Sequence, residues 1–244
     1  MRYPILTFAL LGLTASLPLL AQEPPGIAHF SASAPGMVLP PGWKSVKITD
    51  YKRPTHYRLV DAGGQTVLMA HADAAATGLA QYMSIDVARW PVVDWRWRIS
   101  RLIDSADNTV ASKEDSPVRL VFEFDGNKSK LSLTDRAAMK MAEAISGRDA
   151  PYAQLMYIWS RNLPVGTIVP NPRTKRVQMV VASSGAAGVG SWQHLTRNLL
   201  DDYRRAFGEE PGPITAYGVL TDTDNTGESV DAWYGDIVFK PAAR

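Results

Sequence analysis

The feature that most limits what this chain can fold into is a series of short runs in which apolar and polar residues alternate. Such alternation is typical of half-buried β-strands. Ten of these runs, separated by turn-forming residues, favour an antiparallel sandwich over a parallel α/β sheet. The predicted strands are residues 46–50, 55–60, 66–72, 79–85, 92–99, 118–125, 155–161, 176–182, 217–221 and 232–240. The sequence therefore predicts an all-β, jelly-roll-like antiparallel β-sandwich.

Two peripheral helices are predicted beside the strands. Thr134 precedes an Ala-rich segment, residues 135–146, that ends at Gly147, a pattern typical of a capped helix. The second helix is predicted from Ser191 to Gly208, because large apolar residues recur there at intervals of three or four. These residues are Trp192, Leu195, Leu199, Tyr203 and Phe207. We expect this stripe to pack in the core and the helix to cover a sheet or a sheet edge; an aromatic ligand platform is the alternative.

The first 21 residues have the composition of a secretory signal peptide. Arg2 supplies a positive charge, residues 5–13 are apolar but too short to span a bilayer, and cleavage is predicted after Ala21. No later stretch reaches 18 apolar residues, so we expect no membrane insertion after cleavage. The sequence predicts a periplasmic or secreted protein, with a retained membrane anchor as the alternative.

Composition limits the remaining classes. The chain has no cysteine, which excludes disulfides, thiolate nucleophiles and Cys-ligated metals. Its 26 basic and 24 acidic residues nearly cancel, so a nucleic-acid partner is not expected. We predict an extended lead-in over residues 22–41, rich in Gly, Pro, Ser and Ala, followed by one domain over residues 42–241.

An arginine-rich polar cluster is the main candidate for a ligand site. In the Trp-Arg-Trp-Arg motif of residues 95–98, a strand places both tryptophans on one face and both arginines on the other. Residues 118–124 alternate in the same way. If both strands lie in one sheet, we expect at least three of four polar side chains to lie within mutual reach and to be partly buried, with Glu123 contacting at least one arginine of the four. The four are Arg96, Arg98, Arg119 and Glu123. The alternative is a solvated face of weak surface ion pairs.

Aromatic residues supply further candidates. Tyr157 and Trp159 share one strand face, and exposed aromatic rings suit the apolar face of a sugar, although burial between two sheets is commoner. Tyr234 and Asp236 of the last strand are also predicted to bind ligand. The same two interpretations apply to Tyr51, Tyr82, Trp90 and Trp233.

The acidic loop of residues 222–227 is a candidate cation site. Asp222 and Asp224 would repel each other unless positive groups intervene. The loop partly matches an EF-hand, but Thr226 and Trp233 replace expected ligands and the loop joins predicted strands. We predict turn N–H groups as partners of one carboxylate and an arginine or lysine for the other, with no cofactor. An irregular Ca²⁺ site is the alternative.

Several motifs together resemble an uncharacterised family of exported bacterial proteins, catalogued as domain of unknown function 3047. They are Pro91-x-x-x-Trp95-x-Trp97, Glu114-Asp115-x-Pro117-x-Arg119-Leu120-Val121-Phe122, Tyr157-Ile158-Trp159, Asp201-Asp202-Tyr203-Arg204-x-x-Phe207-Gly208, residues 221–227 and Tyr234-Gly235-Asp236-Ile237. The resemblance extends from about Gly42 to Phe239 and implies the domain's extent without implying an activity. The Gly-Asp-Ile-x-Phe ending is also similar to the closing strand of carbohydrate-binding jelly rolls.

Two functional hypotheses follow. The first is a non-catalytic binding module for a glycan or another polar cell-envelope ligand, because the sequence has no zinc-binding spacing, nucleophile elbow, P-loop or Rossmann fingerprint. The alternative is a polysaccharide hydrolase or lyase that uses two carboxylates, which must lie ~5–5.5 Å or ~6.5–9.5 Å apart in glycosidases. The candidate carboxylates are Asp115, Glu123, Asp222, Asp224 and Asp236.

Overall fold

The computed structural model describes residues 23–49 and 51–242, in which thirteen strands form two sheets. The predicted signal peptide lies outside the described residues. The seven-stranded sheet has the order β1 (Trp43–Lys47), β4 (Ala76–Ile85), β11 (Ile214–Asp222), β6 (Ser116–Phe124), β7 (Ala153–Ser160), β9 (Thr174–Ser184) and β8 (Ile168–Asn171). The six-stranded sheet has the order β10 (Gln193–Asn198), β5 (Val92–Ile99), β12 (Ser229–Tyr234), β3 (Thr66–Asp73) and β2 (His56–Asp61), and β13 (Val238–Lys240) also pairs with β5. The predicted jelly-roll-like sandwich is confirmed.

The inward faces of the two sheets form one hydrophobic core. Trp95 and Trp97 of β5 are buried, as the alternation of that motif predicts. Tyr157 of β7 stacks on Trp95 with ring centroids 5.0 Å apart, and Phe122 of β6 packs edge-on against Tyr157 at 6.0 Å. These contacts join the two sheets through large aromatic side chains, which contribute much of the buried apolar area.

The predicted second helix is wrong in its first half. Residues 193–198 form the edge strand β10, and only α2 (Leu199–Phe207) is helical. Asn198, not Ser191, caps this helix by accepting a hydrogen bond from the backbone N–H of Asp201. Antiparallel pairing with β5 satisfies the backbone of β10, and this long-range pairing outweighs the local helical periodicity. Consequently Trp192 lies outside the core, whereas Leu199 and Tyr203 are buried in it.

The first helix, α1 (Leu133–Ser146), lies along the outer face of the seven-stranded sheet. Its cap is Ser132, two residues before the predicted cap, and it ends as predicted at Gly147, whose φ of 68° is left-handed. Met139 is its buried residue, so the helix makes a shallow contact with the sheet. Among residues 23–49 and 51–242, no helix has the length and apolar composition needed to cross a membrane.

Three further details differ from the predicted strands. The run over residues 232–240 is interrupted, so that β12 and β13 are separate strands, and β8 was not predicted. In the described part of the chain, β7 and β9 form a parallel pair, while the other paired strands are antiparallel. The chain reaches β8 at the sheet edge first and then inserts β9 between β8 and β7.

The segment before β1 is bound to the sandwich. Gln81 of β4 accepts a hydrogen bond from the Ala28 N–H at 3.2 Å and donates one to the Gly26 carbonyl at 2.7 Å. The indole N–H of Trp43 donates to the Ala28 carbonyl at 2.8 Å. Phe30, in a 3₁₀ turn, is buried against Trp43 with ring centroids 4.7 Å apart. This segment therefore contributes to the core.

The backbone of β4 leaves no room for a side chain at Gly218 of β11. A Cβ atom on Gly218 would overlap the carbonyl oxygen of Leu79, whereas one on Gly78 would lie 3.2 Å from the carbonyl oxygen of Val219. We therefore expect Gly218→Ala to lower the free energy of unfolding by more than ~2 kcal/mol and Gly78→Ala to lower it clearly less. Urea unfolding followed by tryptophan fluorescence measures both. Equal effects of the two substitutions would contradict the close approach.

Candidate functional site

The predicted arginine cluster is divided between the two sheets. Arg96 and Arg98 lie on the outer face of the six-stranded sheet, whereas Arg119 and Glu123 lie on the outer face of the seven-stranded sheet. The expectation that three of the four meet is therefore wrong. The residues are separated because β5 and β6 belong to different sheets. Strand β5 pairs with β10, β12 and β13, while β6 pairs with β7 and β11. The arginine that contacts Glu123 is Arg148, which was not predicted, and not one of the three arginines of the predicted cluster.

A groove of about 560 Å³ crosses the outer face of the seven-stranded sheet beneath α1. Its floor is made of small or apolar residues on three adjacent strands: Gly78, Ala80, Val121, Ala216 and Gly218. Because these residues have short side chains, the floor lies close to the backbone. The volume is within the range of small-molecule binding sites, which is roughly 300–1,000 Å³.

The two walls of the groove come from different parts of the chain. One wall is α1, which presents Met139, Ala142 and Ile145. The other is the end of β1 with residues 46–52, of which Asp50 is not described. Tyr51 on this wall is 82% exposed, so its ring is available to a ligand.

A polar network interrupts the apolar floor. The Glu123 carboxylate accepts hydrogen bonds from Arg148 at 2.8 Å and from the Gln154 amide at 2.9 Å. The Glu123 side chain is only 12% exposed. Burial by itself would lower the pKa of Arg148, but the hydrogen bond and charge of Glu123 raise it above its usual value. The groove therefore contains a permanently charged donor, a carboxylate and an amide at one position.

Strand register explains how this network forms. Glu123 of β6 and Gln154 of β7 are directly opposed cross-strand partners, and Arg148 follows the Gly147 cap of α1. Tyr82, 47% exposed on the outer face of β4, is close enough to raise the pKa of Arg148 further. The alternation of β7 would have shown that Gln154 points outward. Its partner could not be identified from sequence, because that depends on long-range pairing.

At the opposite end of the groove, three carboxylates come together. Oxygens of Asp115, Asp222 and Asp224 lie within 4.8 Å of one another. Buried Arg119 donates two hydrogen bonds to Asp222, at 2.8 and 3.0 Å, and Lys52 pairs with Asp224 at 2.7 Å. Each loop aspartate therefore has a cationic partner, whereas the prediction assigned an arginine or lysine to only one of them.

The turn N–H groups bind a different carboxylate from those predicted. The backbone N–H and the hydroxyl of Thr226 both donate to Asp115 at 2.7 Å, and the Asn225 N–H donates to it at 3.3 Å. Burial raises the pKa of Asp115, and the charge of Asp222 raises it further. Protein groups thus contact all three carboxylates, while the buried Oδ1 of Asp224 accepts no hydrogen bond from the described residues. The metal-free interpretation stays a prediction.

The predicted aromatic candidates lie in the core. Tyr157, Trp159 and Tyr234 are at most 1% exposed. The Tyr157 hydroxyl hydrogen-bonds to Asp202 at 2.8 Å, the Trp159 indole donates to the Gly185 carbonyl at 3.0 Å, and the Tyr234 and Thr221 hydroxyls are 2.7 Å apart. Asp236 is partly exposed and accepts hydrogen bonds from the backbone N–H and hydroxyl of Ser31, at 3.0 and 2.5 Å. The three rings therefore present no open face to a ligand.

The outer face of the six-stranded sheet has aromatic residues beside the two arginines. The Cζ atom of Arg98 lies 4.1 Å from the ring centroid of Trp233 and 5.2 Å from that of Trp192. The Cζ atom of Arg96 lies 4.5 Å from the Trp192 centroid. Trp192 was not predicted as a site residue, because the predicted helix placed it in the core.

The chain belongs to the family described as protein of unknown function DUF3047, whose profile matches residues 41–238. This match confirms the resemblance drawn from the motifs. No curated protein is significantly similar to the chain.

Several solved structures align with most of the chain at low sequence identity and low TM-score. The arabinose-bound α-L-arabinofuranosidase MgGH51 has a TM-score of 0.41 at 9% identity, over 89% of this chain and 26% of that one, so the chain spans about a quarter of that enzyme's length. The xyloglucanase domain of NopAA from Sinorhizobium fredii has a TM-score of 0.41 at 10% identity, over 93% of this chain and 100% of that one. The Emp47p carbohydrate recognition domain has a TM-score of 0.42 at 11% identity, over 89% of this chain and 95% of that one.

The Arg119–Asp222 ion pair is more deeply buried than the Lys52–Asp224 pair, so removing the two aspartates should cost different free energies of unfolding. Removing Asp222 would leave the guanidinium of Arg119, only 4% exposed, without its carboxylate. We therefore expect Asp222→Ala to cost about 3–5 kcal/mol of unfolding free energy. Asp224→Ala should cost about 1–2 kcal/mol, because Lys52 is 23% exposed and remains hydrated. Denaturant unfolding measures both values.

Thermal unfolding with and without a chelator tests the prediction that the acidic loop binds no metal. The melting temperature of the wild type should not change when EDTA is added. A melting temperature that falls on chelation and recovers with Ca²⁺ would contradict it, and equal costs for Asp222→Ala and Asp224→Ala would contradict the assigned pairing.

Proposed function

We propose that this member of the DUF3047 family is an exported, non-catalytic binding module for a glycan or another polar cell-envelope ligand. The ligand would bind in the groove beneath α1. The observation that carries the proposal is the half-buried network of Glu123, Arg148 and Gln154 in the apolar floor of that groove.

The two parts of this surface match the two chemical faces of a sugar ring. A pyranose has an apolar face of C–H groups and a rim of hydroxyls. The floor at Ala80, Ala216 and Gly218 offers a flat apolar surface at which C–H groups can be buried. The carboxylate of Glu123 accepts hydrogen bonds from hydroxyls, and Arg148 donates them, so the network can orient a ring placed on the floor.

The groove also has features that suit more than one sugar unit. Tyr51 at the wall and Tyr82 near Arg148 are exposed aromatic rings of the kind that stack on sugars. At the other end, Asp224 and Asn225 line the groove and offer further polar groups. A ligand that extends from Gln154 to Asn225 would contact both ends.

Binding is favoured over catalysis because each candidate carboxylate already has a partner. Asp222 is bound to Arg119, Asp224 to Lys52 and Glu123 to Arg148. Asp115 accepts hydrogen bonds from the 225–226 turn, and Asp236 accepts them from Ser31. A glycosidase needs one carboxyl group free to transfer a proton to the leaving group and a second to act as base or nucleophile. The hydrolase or lyase hypothesis stays the alternative.

The proposed location rests on the sequence. The first 21 residues have the composition of a signal peptide, and the absence of cysteine is compatible with export. A binding module for envelope glycans would meet its ligand in the periplasm or outside the cell.

Isothermal titration against a panel of neutral and amino-sugar oligosaccharides tests the proposal. We expect one of them to bind the wild type, and Gln154→Ala to weaken this binding about tenfold, because a hydrogen-bond donor next to Glu123 is lost. Ala216→Leu should weaken it as much or more by filling the floor. Gln65→Ala, at an exposed glutamine on the other sheet, is the matched control and should leave the affinity unchanged.

Two results would contradict the proposed function. Release of reducing ends from any member of the panel would favour the hydrolase hypothesis. Equal affinities for the wild type, Gln154→Ala and Ala216→Leu would show that the groove is not the binding site.

A further inference from the structure

A row of side chains crosses the outer face of the six-stranded sheet, on the opposite side of the molecule from the groove. In the strand register, Arg98 of β5 pairs with Trp233 of β12, Trp233 with Met69 of β3, and Met69 with Arg58 of β2. Trp192 extends the row, because Gln193 pairs with Trp97 in antiparallel register and the preceding residue, Trp192, therefore lies beside Arg98. We call these five residues the arginine–tryptophan row. With strands ~4.8 Å apart, its two arginines are separated by about 14 Å.

Arg98 is the arginine of the row that contacts both tryptophans. Its guanidinium lies near both indoles, with centroids 4.1 Å away at Trp233 and 5.2 Å away at Trp192. Among residues 23–49 and 51–242, no carboxylate or carbonyl accepts a hydrogen bond from Arg98, and its buried Nε has no partner. Indoles attract the cation without using its N–H groups, so these donors remain available to a ligand.

Two other arginines on this face also lack carboxylate partners in the described structure. Arg58 contacts the sulfur of Met69 at 3.4 Å, and Arg96 donates to the Gln65 amide at 2.6 Å. Gly235 makes room for Arg96, because a Cβ atom at this position would lie 2.6 Å from Arg96 Cγ. The backbone therefore leaves space for Arg96 beside the row.

The carboxylates on the same face have partners of their own. Asp94 pairs with Lys240, Asp231 with His71 at 2.7 Å, and Asp73 with Arg53 at 3.0 Å. His71 is charged only when protonated, so Asp231 counts against the arginines of this face. Arg58, Arg96 and Arg98 still outnumber that one carboxylate, which leaves an excess of positive charge on one face of a chain whose formal net charge is only +2. Such a local excess of positive charge attracts anionic ligands.

We infer that this face binds a polysaccharide that carries carboxylate groups, lying along the arginine–tryptophan row. The planar guanidinium presents paired N–H donors that match the two oxygens of a carboxylate. Uronate carboxylates would bind Arg98 and Arg58, and the sugar units between them would pack on Trp233 and Met69. This surface is independent of the groove, so the protein would have two glycan-binding faces.

The probe for this inference is polygalacturonate, with its methyl-esterified form as the uncharged comparison. In titrations at low salt, the wild type should bind the polyuronate, and Arg98→Gln should bind at least about tenfold more weakly. Arg98→Lys should also bind more weakly, because an ammonium lacks the planar donor pair. Gly235→Ala should weaken binding with no change in charge, because it displaces Arg96.

Matched controls separate this site from general electrostatics and from the groove. Arg161→Gln removes the same charge at an exposed arginine after β7 in the other sheet and should leave the affinity within about twofold. Gln154→Ala, in the groove, should leave polyuronate binding intact. Far-ultraviolet circular dichroism confirms that each variant is folded before titration.

Four outcomes would overturn the inference. They are equal binding of the methyl ester, equal weakening by Arg161→Gln, loss of binding in Gln154→Ala, and binding to phosphatidylglycerol vesicles or single-stranded DNA without binding to polygalacturonate. None of these results bears on whether neutral glycans bind in the groove, so the two proposals fail separately.

Discussion

The aromatic packing between the two sheets is the constraint on which the rest of the structure depends. Trp95 stacks on Tyr157, and Phe122 packs against the same tyrosine, so strands of both sheets are held by one set of rings. In a strand, burying one residue directs its neighbours to the opposite face. Burial of Trp95 and Trp97 therefore places Arg96 and Arg98 on one outer face of the molecule.

The same constraint acts on β6, but its outer face has a different environment. Burial of Leu120 and Phe122 directs Arg119 and Glu123 outward, onto the face along which α1 lies. Charges in this partly covered region need partners, and Asp222 and Arg148 supply them. Arg96 and Arg98 of the six-stranded sheet are half-buried and stack on tryptophans instead. One alternating pattern thus produces a covered groove on one sheet and a cationic face on the other.

Local pattern was sufficient to predict much of this fold. The alternation of residues 92–99 and 118–125 identified both strands and which of their residues face the core. Sheet membership could not be predicted, because it depends on pairing between strands far apart in sequence. The same physics explains the mistaken helix, since residues 193–198 have helical periodicity but pair with β5. Arg148 was missed for a related reason: its partner is defined by where α1 ends above the sheet.

A crystal structure of the protein with a bound oligosaccharide would show whether the groove beneath α1 holds a glycan. We expect an intact sugar chain in the groove, with a ring lying over Ala80 and Gly218 and a hydroxyl hydrogen-bonded to Glu123 or Arg148. A sugar bound away from this groove, or a cleaved product beside Asp115, Asp222 and Asp224, would contradict it.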